Sequence, residues 1–412
     1  MDYANKICRG DRVIWMIFLF LCLISIVEVY SASSMLTFKT SYWQPIMKHT
    51  IHLLTGGVIV LLVHSIEPKY FWIFVVSLPF VWLLLIATQF MGQTVNGANR
   101  FIFGFQPSEI AKLSLISCVA YFLSRQKDKI SKDLSFKWIW IITVITCILI
   151  LRDNLSTVAI LYSVVVIMMF IGQVPLEKMG KLIVITLASI AILFAFIWFF
   201  PDAAKSTGLR RGVMWVDRFQ NYNEHTDIRK GIYTITDDNF QTTQANIAVA
   251  RGGIFGSLPG NGQQRNFLPQ AYSDFIFAII IEETGIIGGI FVLSLYVFLF
   301  IRAGIVAGRC RKLFPKLLVM GCALMLVIQA LVNMAVSVGL MPVTGQPLPL
   351  VSKGGSSILT TCVFIGIMLS VSRFENPKGV LQEKEIEEEF EEEKRLEEFE
   401  NEEDELDAQF AY

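Results

Sequence analysis

Residues 266–290 read NFLPQAYSDFIFAIIIEETGIIGGI, with one acid, Asp274, at the mouth of a long apolar run and two more, Glu282 and Glu283, inside it. Whether that run is a membrane helix decides the fold, and composition answers the question. Hydrophobic residues make up 54% of the 412, charged residues only 17%, and the mean hydropathy is +0.56. A soluble chain of this size does not have that balance. A span takes about 20 mostly apolar residues. Working outward from 275–301, nine more can be laid along the chain, at 13–32, 50–66, 70–90, 108–124, 137–151, 154–171, 181–200, 315–338 and 354–372. The expected fold class is an all-α polytopic membrane protein of about ten transmembrane helices.

Lys and Arg in the short connections set the orientation. Lys6, Arg9 and Arg12 precede the first span, and SRQKDKISKDLSFK (124–137) carries five basic residues. Lys178 and Lys181 mark another alternate loop, and Arg302, Arg309, Arg311, Lys312 and Lys316 crowd 302–316. The positive-inside bias puts these loops and both termini in the cytoplasm, with 33–49, 91–107, 201–273 and 340–353 on the far side. The first span is long, carries Glu28 and lacks a convincing cleavage site, so it is expected to stay in the mature chain. The organisation expected is a cytoplasmic N-terminus (1–12), a membrane domain (13–372) and an acidic cytoplasmic tail (373–412). In that tail EKEIEEEFEEEKRLEEFENEEDEL (383–406) reads as a solvated helix or disordered arm. The seven cysteines show no C-x-x-C and no pairable far-side set, and the four histidines are scattered. Neither a disulfide framework nor a zinc site is supported. With no G-x-x-x-x-G-K-[ST], no ATP-driven step is expected, nor any nucleic-acid partner.

One connection is long: 201–273, about 73 residues, and loops of that length are functional or disordered. Its stretches GLRRGVMWVDRF (208–219) and NFQTTQANIAVARGGIFGSLPGNGQQRNFLPQAYSD (239–274) mix arginines, amides, aromatics and glycines, which favours function. Ile247, Ala248, Ala250 and Ile254 form an amphipathic piece suited to an interface. A plain polar linker is the alternative. In PVTGQPLPLVSKGGSS (342–357) the prolines forbid a helix, and a loop folding back at the outer surface is expected.

Five motifs, in order, resemble one family: YSASS (30–34), GANRFIFGFQPSEIAKLSL (97–115), FQTTQANIAVARGGIFG (240–256), FLPQAYSDFIFAIIIEETGIIGG (267–289) and NMAVSVGLMPVTGQPLPLVSKGGSS (333–357). With ten spans across residues 13–372, the chain is similar to the SEDS family (shape, elongation, division and sporulation), and to its FtsW branch more than its RodA branch. The resemblance implies a peptidoglycan glycosyltransferase that polymerises lipid II on the outer face of the bacterial cytoplasmic (inner) membrane. It also implies a class B penicillin-binding protein and other division proteins as partners, beside the membrane lipid itself.

Asp274 lies at the outer end of its span, where water reaches it and where a helix N-terminus favours its charged form, which suits a general base. In the family pattern LP-x-x-x-x-DFIF, Asp274 falls on the acid regarded as essential for polymerisation; capping the helix is the alternative. On a straight helix Glu282 lies eight residues deeper, about 12 Å along the axis. That exceeds the roughly 9.5 Å at which two carboxylates flank one glycosidic bond. Asp274 is therefore expected to work alone, since undecaprenyl pyrophosphate leaves with charge neutralisation rather than a general acid. Glu282 and Glu283 are expected to pair inside the bundle.

For the pyrophosphate the far side offers Arg100, the loop residues Arg210, Arg211 and Arg218, and Lys353 before Gly354, Gly355 and Ser356, whose free N–H groups suit an anion. Arg100 and Arg218 match basic positions of the family, whereas Lys353 replaces a usual tyrosine. A solvated charged loop, and glycines that permit close helix packing, are the plain alternatives. In QPSEIAK, Pro107 and Glu109 open a helix, and Lys112 pairs with Glu109 facing inward. The family treats this basic position as important for lipid II, a structural ion pair being the alternative. Gln244 and Ser352, inside family motifs, complete the candidate substrate-binding set. No motif calls for a cofactor; a divalent cation is left open, with no ligands assigned. The chain departs from the family in RDNLST (152–157), where Asn154 stands for an acid and Ser156 for a glycine, and at Phe101, where tryptophan is common. Two other classes compete: a lipid II flippase or transporter built on the buried Glu28, Lys112 and Glu282, and a non-catalytic division scaffold. The long far-side loop with one poised acid favours the enzyme, because a transporter gathers its polar groups at the midplane.

Overall fold

The computed structural model describes residues 10–32, 44–95, 98–102, 104–126, 129–151, 154–200, 212, 216, 239–268 and 271–374. Ten helices stand where ten spans were expected: α1 (Arg12–Ala32), α2 (Gln44–His64), α3 (Ile73–Met91), α4 (Pro107–Ser124), α5 (Lys129–Leu151), α6 (Leu155–Ile171), α7 (Leu176–Phe199) and, after an additional helix α8 (Phe240–Gly252), α9 (Ile276–Arg309), α10 (Leu313–Ser337) and α11 (Gly355–Phe374). Among the described residues eight of these are long and apolar enough to cross a membrane. The other two are the shorter α6 and α4, the latter carrying Glu109 in its first turn and Lys112 in its second. The chain is a polytopic membrane protein. Its one β-sheet among the described residues is a hairpin between α3 and α4, β1 (Gln93–Val95) against β2 (Ala98–Phe101).

α10 and α11 form the centre, with 78% and 72% of their spanning residues buried against 12% for α7. Small residues allow the closest approach: Gly366 of α11 lies against Val63 of α2, and Gly56 of α2 against Cys362 of α11. Ion pairs and caps join ends that the basic residues assign to one side. Asp11 pairs with Arg302, Asp133 with Lys178, and Ser370 Oγ donates to the Ile66 carbonyl.

α9 is broken. Gly285 has φ 73° and ψ −175° inside it, a conformation glycine tolerates. Residues 253–258 lie against the break and replace the bonds the helix loses. Ser257 and Leu258 N–H donate to the Glu282 and Glu283 carbonyls at 3.0 and 2.8 Å, and Ile286 N–H donates to the Gly253 carbonyl at 2.9 Å. A side chain at 285 would run into the Ile254 carbonyl. Past the break, Ile286–Arg309 rises about 36 Å, enough by itself to cross a hydrocarbon core of about 30 Å. Ile276–Thr284 is thus a half-helix at the end of the bundle opposite the Asp11–Arg302 pair. The straight helix that set Glu282 deep in the span is corrected accordingly.

The amphipathic piece of the long loop is α8, but its buried face is Thr243, Ala245, Ala248 and Gly252, while Ile254 is 63% exposed. The helix ends before Ile254, so that residue leaves the predicted face. Ala245 and Ala248 join Ala32, Leu268, Phe275, Ala278 and Ile279 in a small separate core that seats the half-helix.

The segment after α10 does not fold back at the surface. Leu348, Leu350, Val351 and Ser352 are buried, and side chains of the spanning helices donate to the loop's carbonyls. Ser25 donates to Val351 at 2.9 Å, Tyr296 to Pro349 at 2.5 Å, Gln329 to Pro347 at 2.9 Å and Asn333 to Gln346 at 2.7 Å. Ser25 lies about 10 Å below the far end of α1. Irregular backbone survives at membrane depth only when protein surrounds it and bonds its polar groups. Prolines 347 and 349 help by having no N–H to satisfy.

Candidate active site

Asp274 sits where the half-helix of α9 meets this re-entrant loop. Phe275, not Asp274, holds the N-cap position of α9, and it makes no side-chain cap bond. The backbone leading to the helix is pinned at three consecutive carbonyls by three different donors. Lys353 N–H bonds Tyr272 O at 2.9 Å, Ser352 Oγ bonds Ser273 O at 2.5 Å, and Asn333 Nδ2 bonds Asp274 O at 2.9 Å. The carboxylate is half-buried and accepts from Ser273 Oγ at 2.9 Å. Its Oδ2 lies 3.6 Å from the point where a side chain on Gly345 would begin, and Gly345 has φ 65°. Glycine there keeps the backbone turn unstrained and leaves the carboxylate room.

Two further groups flank the acid. Lys353 Nζ lies 4.9 Å from the centre of the Tyr272 ring. Burial, and then the negative charge of Asp274, push the Tyr272 phenol above its ordinary range, so it is a neutral hydroxyl at pH 7. Burial, and then the positive charge of Lys48, bring the Lys353 ammonium below its ordinary value. A carboxylate, a phenol and an ammonium are thereby gathered on one short stretch.

Behind them runs a polar stripe of α10. Gln329 and Asn333, four residues apart, share one helix face. Lys112 Nζ bonds Glu109 Oε2 at 2.8 Å and Gln329 Oε1 at 3.2 Å, with the lysine and glutamate side chains 2% and 9% exposed. The pair is a buried tie from α4 through Gln329 to the re-entrant loop. On the other flank Gln346 Nε2 donates to Asn154 Oδ1 at 3.2 Å and Thr157 Oγ1 at 3.0 Å, and Ser156 Oγ donates to Thr344 O at 3.0 Å. Asn154 also caps α6, accepting from Thr157 N–H. The residues that depart from the family pattern in RDNLST therefore anchor the loop that holds Asp274 in place. A small cavity of about 10 Å³, lined by Thr88, Gln106, Ser108 and Asn154 among others, lies at the start of α4.

The structure thus brings together Asp274, Ser352 and Lys353, with Gly354, Gly355 and Ser356 entering α11 directly behind. Gly355 packs close to His52, whose Nε2 lies 2.9 Å from the point where a side chain on Gly355 would begin. Gln244 is half-buried on α8. Arg100 lies in β2, and its side chain is outside the described residues, as are Arg210, Arg211 and Arg218 altogether. Glu282 accepts from Gln263 and Gln264 N–H at 2.9 and 3.1 Å, and Glu283 from Ser31 Oγ, so neither follows the expected pairing inside the bundle. Among the described residues no three His, Cys, Asp or Glu side chains gather as a metal-holding group. Tyr272, Gln329, Asn333 and Gln346 were not foreseen. The four-residue spacing of Gln329, Asn333 and Ser337 in an otherwise apolar helix is the signal that could have found two of them.

Residues 11–377 match the cell cycle protein family FtsW/RodA/SpoVE. A probable peptidoglycan glycosyltransferase FtsW of Geobacter sp. (strain M18) is 31% identical over 376 residues, covering 88% of this chain and 96% of that one. One from Saccharophagus degradans is 32% identical over 368 residues, covering 85% and 89%. Among solved structures, a chain of a peptidoglycan synthase complex superposes with a TM-score of 0.69 at 23% identity, covering 89% of this chain and 99% of that one. The rod shape determining protein RodA of Thermus thermophilus superposes with a TM-score of 0.62 at 23% identity, covering 88% and 97%. With the family's pattern spanning all ten helices and the half-helix that Asp274 precedes, the chain belongs to the FtsW/RodA/SpoVE family of cell cycle proteins.

Proposed function

We propose that the chain is a peptidoglycan glycosyltransferase that polymerises lipid II at the outer face of the bacterial cytoplasmic membrane, with both termini in the cytoplasm and a class B penicillin-binding protein as partner. The observation that carries this is the setting of Asp274: three successive carbonyls fixed by Lys353, Ser352 and Asn333, and a carboxylate left half-open beside a glycine. A base must be held within hydrogen-bond reach of the proton it takes, and rigid backing supplies that. In the step, Asp274 accepts the proton of the acceptor sugar's 4-hydroxyl as that oxygen bonds the anomeric carbon of the donor. The bond from that carbon to undecaprenyl pyrophosphate breaks with inversion, and the pyrophosphate departs with the bonding pair. Arg100, Arg218 and Lys353 are the cations proposed to neutralise it, with Gln244 and Ser356 as polar contacts. A divalent cation on the pyrophosphate would add to that neutralisation, and no step here depends on one. The test is labelled lipid II supplied to the purified chain with its cognate class B penicillin-binding protein. Glycan polymer is expected; lipid II crossing the bilayer without polymer would favour a transporter instead.

A further inference from the structure

The far-side end of α2 carries Lys48, His49 and His52 within two turns. The N-terminus of α11 lies against it through the Gly355–His52 contact; Lys48 stands one turn before His52, whose Nδ1 meets the Lys48 carbonyl at 2.5 Å, and Lys353 stands two residues before Gly355. Lys48 is exposed and Lys353 half-buried. Among the described residues neither pairs with a carboxylate, whereas Lys112, Lys178, Lys181 and Arg302 each have one. His49 is 2% exposed; its Nε2 meets Ser25 Oγ at 2.8 Å, and its Nδ1 has no partner. Like charges held together repel, and an anion between them reverses the sign of that interaction. The dipole and first N–H groups of the 20-residue α11 add to the same field.

We propose that Lys48, Lys353 and the N-terminus of α11, backed by His49, form a subsite for the diphosphate of a prenyl-linked donor. Lys353 N–H is bonded to Tyr272 O, two residues before Asp274, so the leaving group and the base share one rigid stretch. The identity of the sugar carrier rests on the glycosyltransferase reading; the anion site itself rests on the charges and the helix end.

The same chemistry is offered by a diphosphate lipid and by an anionic phospholipid headgroup, and binding separates them. The full chain is placed in phosphatidylcholine nanodiscs containing either undecaprenyl diphosphate or phosphatidylglycerol, and retained lipid is measured. Wild type is expected to retain undecaprenyl diphosphate in preference to phosphatidylglycerol. Lys353→Tyr and Lys48→Gln are each expected to weaken that binding by about tenfold or more, as loss of a charge-assisted contact does, with thermal unfolding unchanged. Equal binding by wild type and both variants would overturn the subsite, as would phosphatidylglycerol retained equally well. No turnover is involved, so a chain that binds but makes no polymer leaves the subsite standing. A chain that polymerises lipid II without this selectivity loses the subsite alone.

Discussion

Asn333→Ala removes one amide that serves two backbones. Asn333 is 1% exposed and donates to Asp274 O at 2.9 Å and to Gln346 O at 2.7 Å. Each buried carbonyl stripped of its donor costs about 1–3 kcal/mol, so the pair is worth roughly 2–6 kcal/mol. Hydrogen bonds between membrane helices average only about 0.6 kcal/mol, because the alternative state finds other partners. Here both acceptors lie on non-helical backbone inside the bundle, where no regular partner is available, and the larger range applies. The consequence for chemistry is sharper, because one of the two carbonyls belongs to Asp274 itself. A displacement of about 1 Å at a catalytic group costs about 100-fold in rate. Glycan product from the purified complex, measured against lipid II concentration, should show that loss in turnover with little change in half-saturation, and thermal unfolding should shift downward. A variant polymerising within twofold of wild type would refute the pinning of Asp274 by Asn333. So would a loss no greater than the fraction unfolded.

Glu109→Gln leaves Lys112 buried without its carboxylate and should cost about 3–5 kcal/mol in stability, with much of it recovered in the Glu109→Gln/Lys112→Met double variant; equal unfolding of the single and double variants contradicts the ion-pair account. Gly285→Ala forces a left-handed residue and collides with Ile254, so thermal stability and activity should fall together, and an unchanged protein would deny the break its role. Cysteines introduced at 240–265 should react with an impermeant maleimide added outside whole cells, while 303–315 and 385–405 should not; outside labelling of the acidic tail would invert the topology.

The ten helices were legible because lipid imposes a length and an apolar composition on each span. Even short spans such as 154–171 stand close to the helix found, Leu155–Ile171. Asp274 was legible as an acid at a span's mouth. The break at Gly285 was not, because a single glycine in an apolar run reads equally well as helix packing, and the strap that satisfies the break comes from 253–258, far off in sequence. The burial of 346–352 was hidden for a related reason. Prolines announce a loop but not its depth, which depends on whether Ser25, Tyr296, Gln329 and Asn333 from three other helices supply donors. Asn154 and Ser156, which the sequence shows only as departures from the family pattern, hold the loop in place.

The central claim is that Asp274 is the base of a polymerising reaction, and Asp274→Asn tests it most directly. The amide keeps the size of the side chain and an oxygen to accept from Ser273 but cannot take a proton, and loss of general-base catalysis typically costs about 10²–10⁴ in rate. Glycan product is measured from labelled lipid II with the purified complex, and thermal unfolding is followed in the same preparation. The account predicts a fall of that size in a variant that unfolds at the wild-type temperature and still holds its partner; polymerisation at the wild-type rate would contradict it.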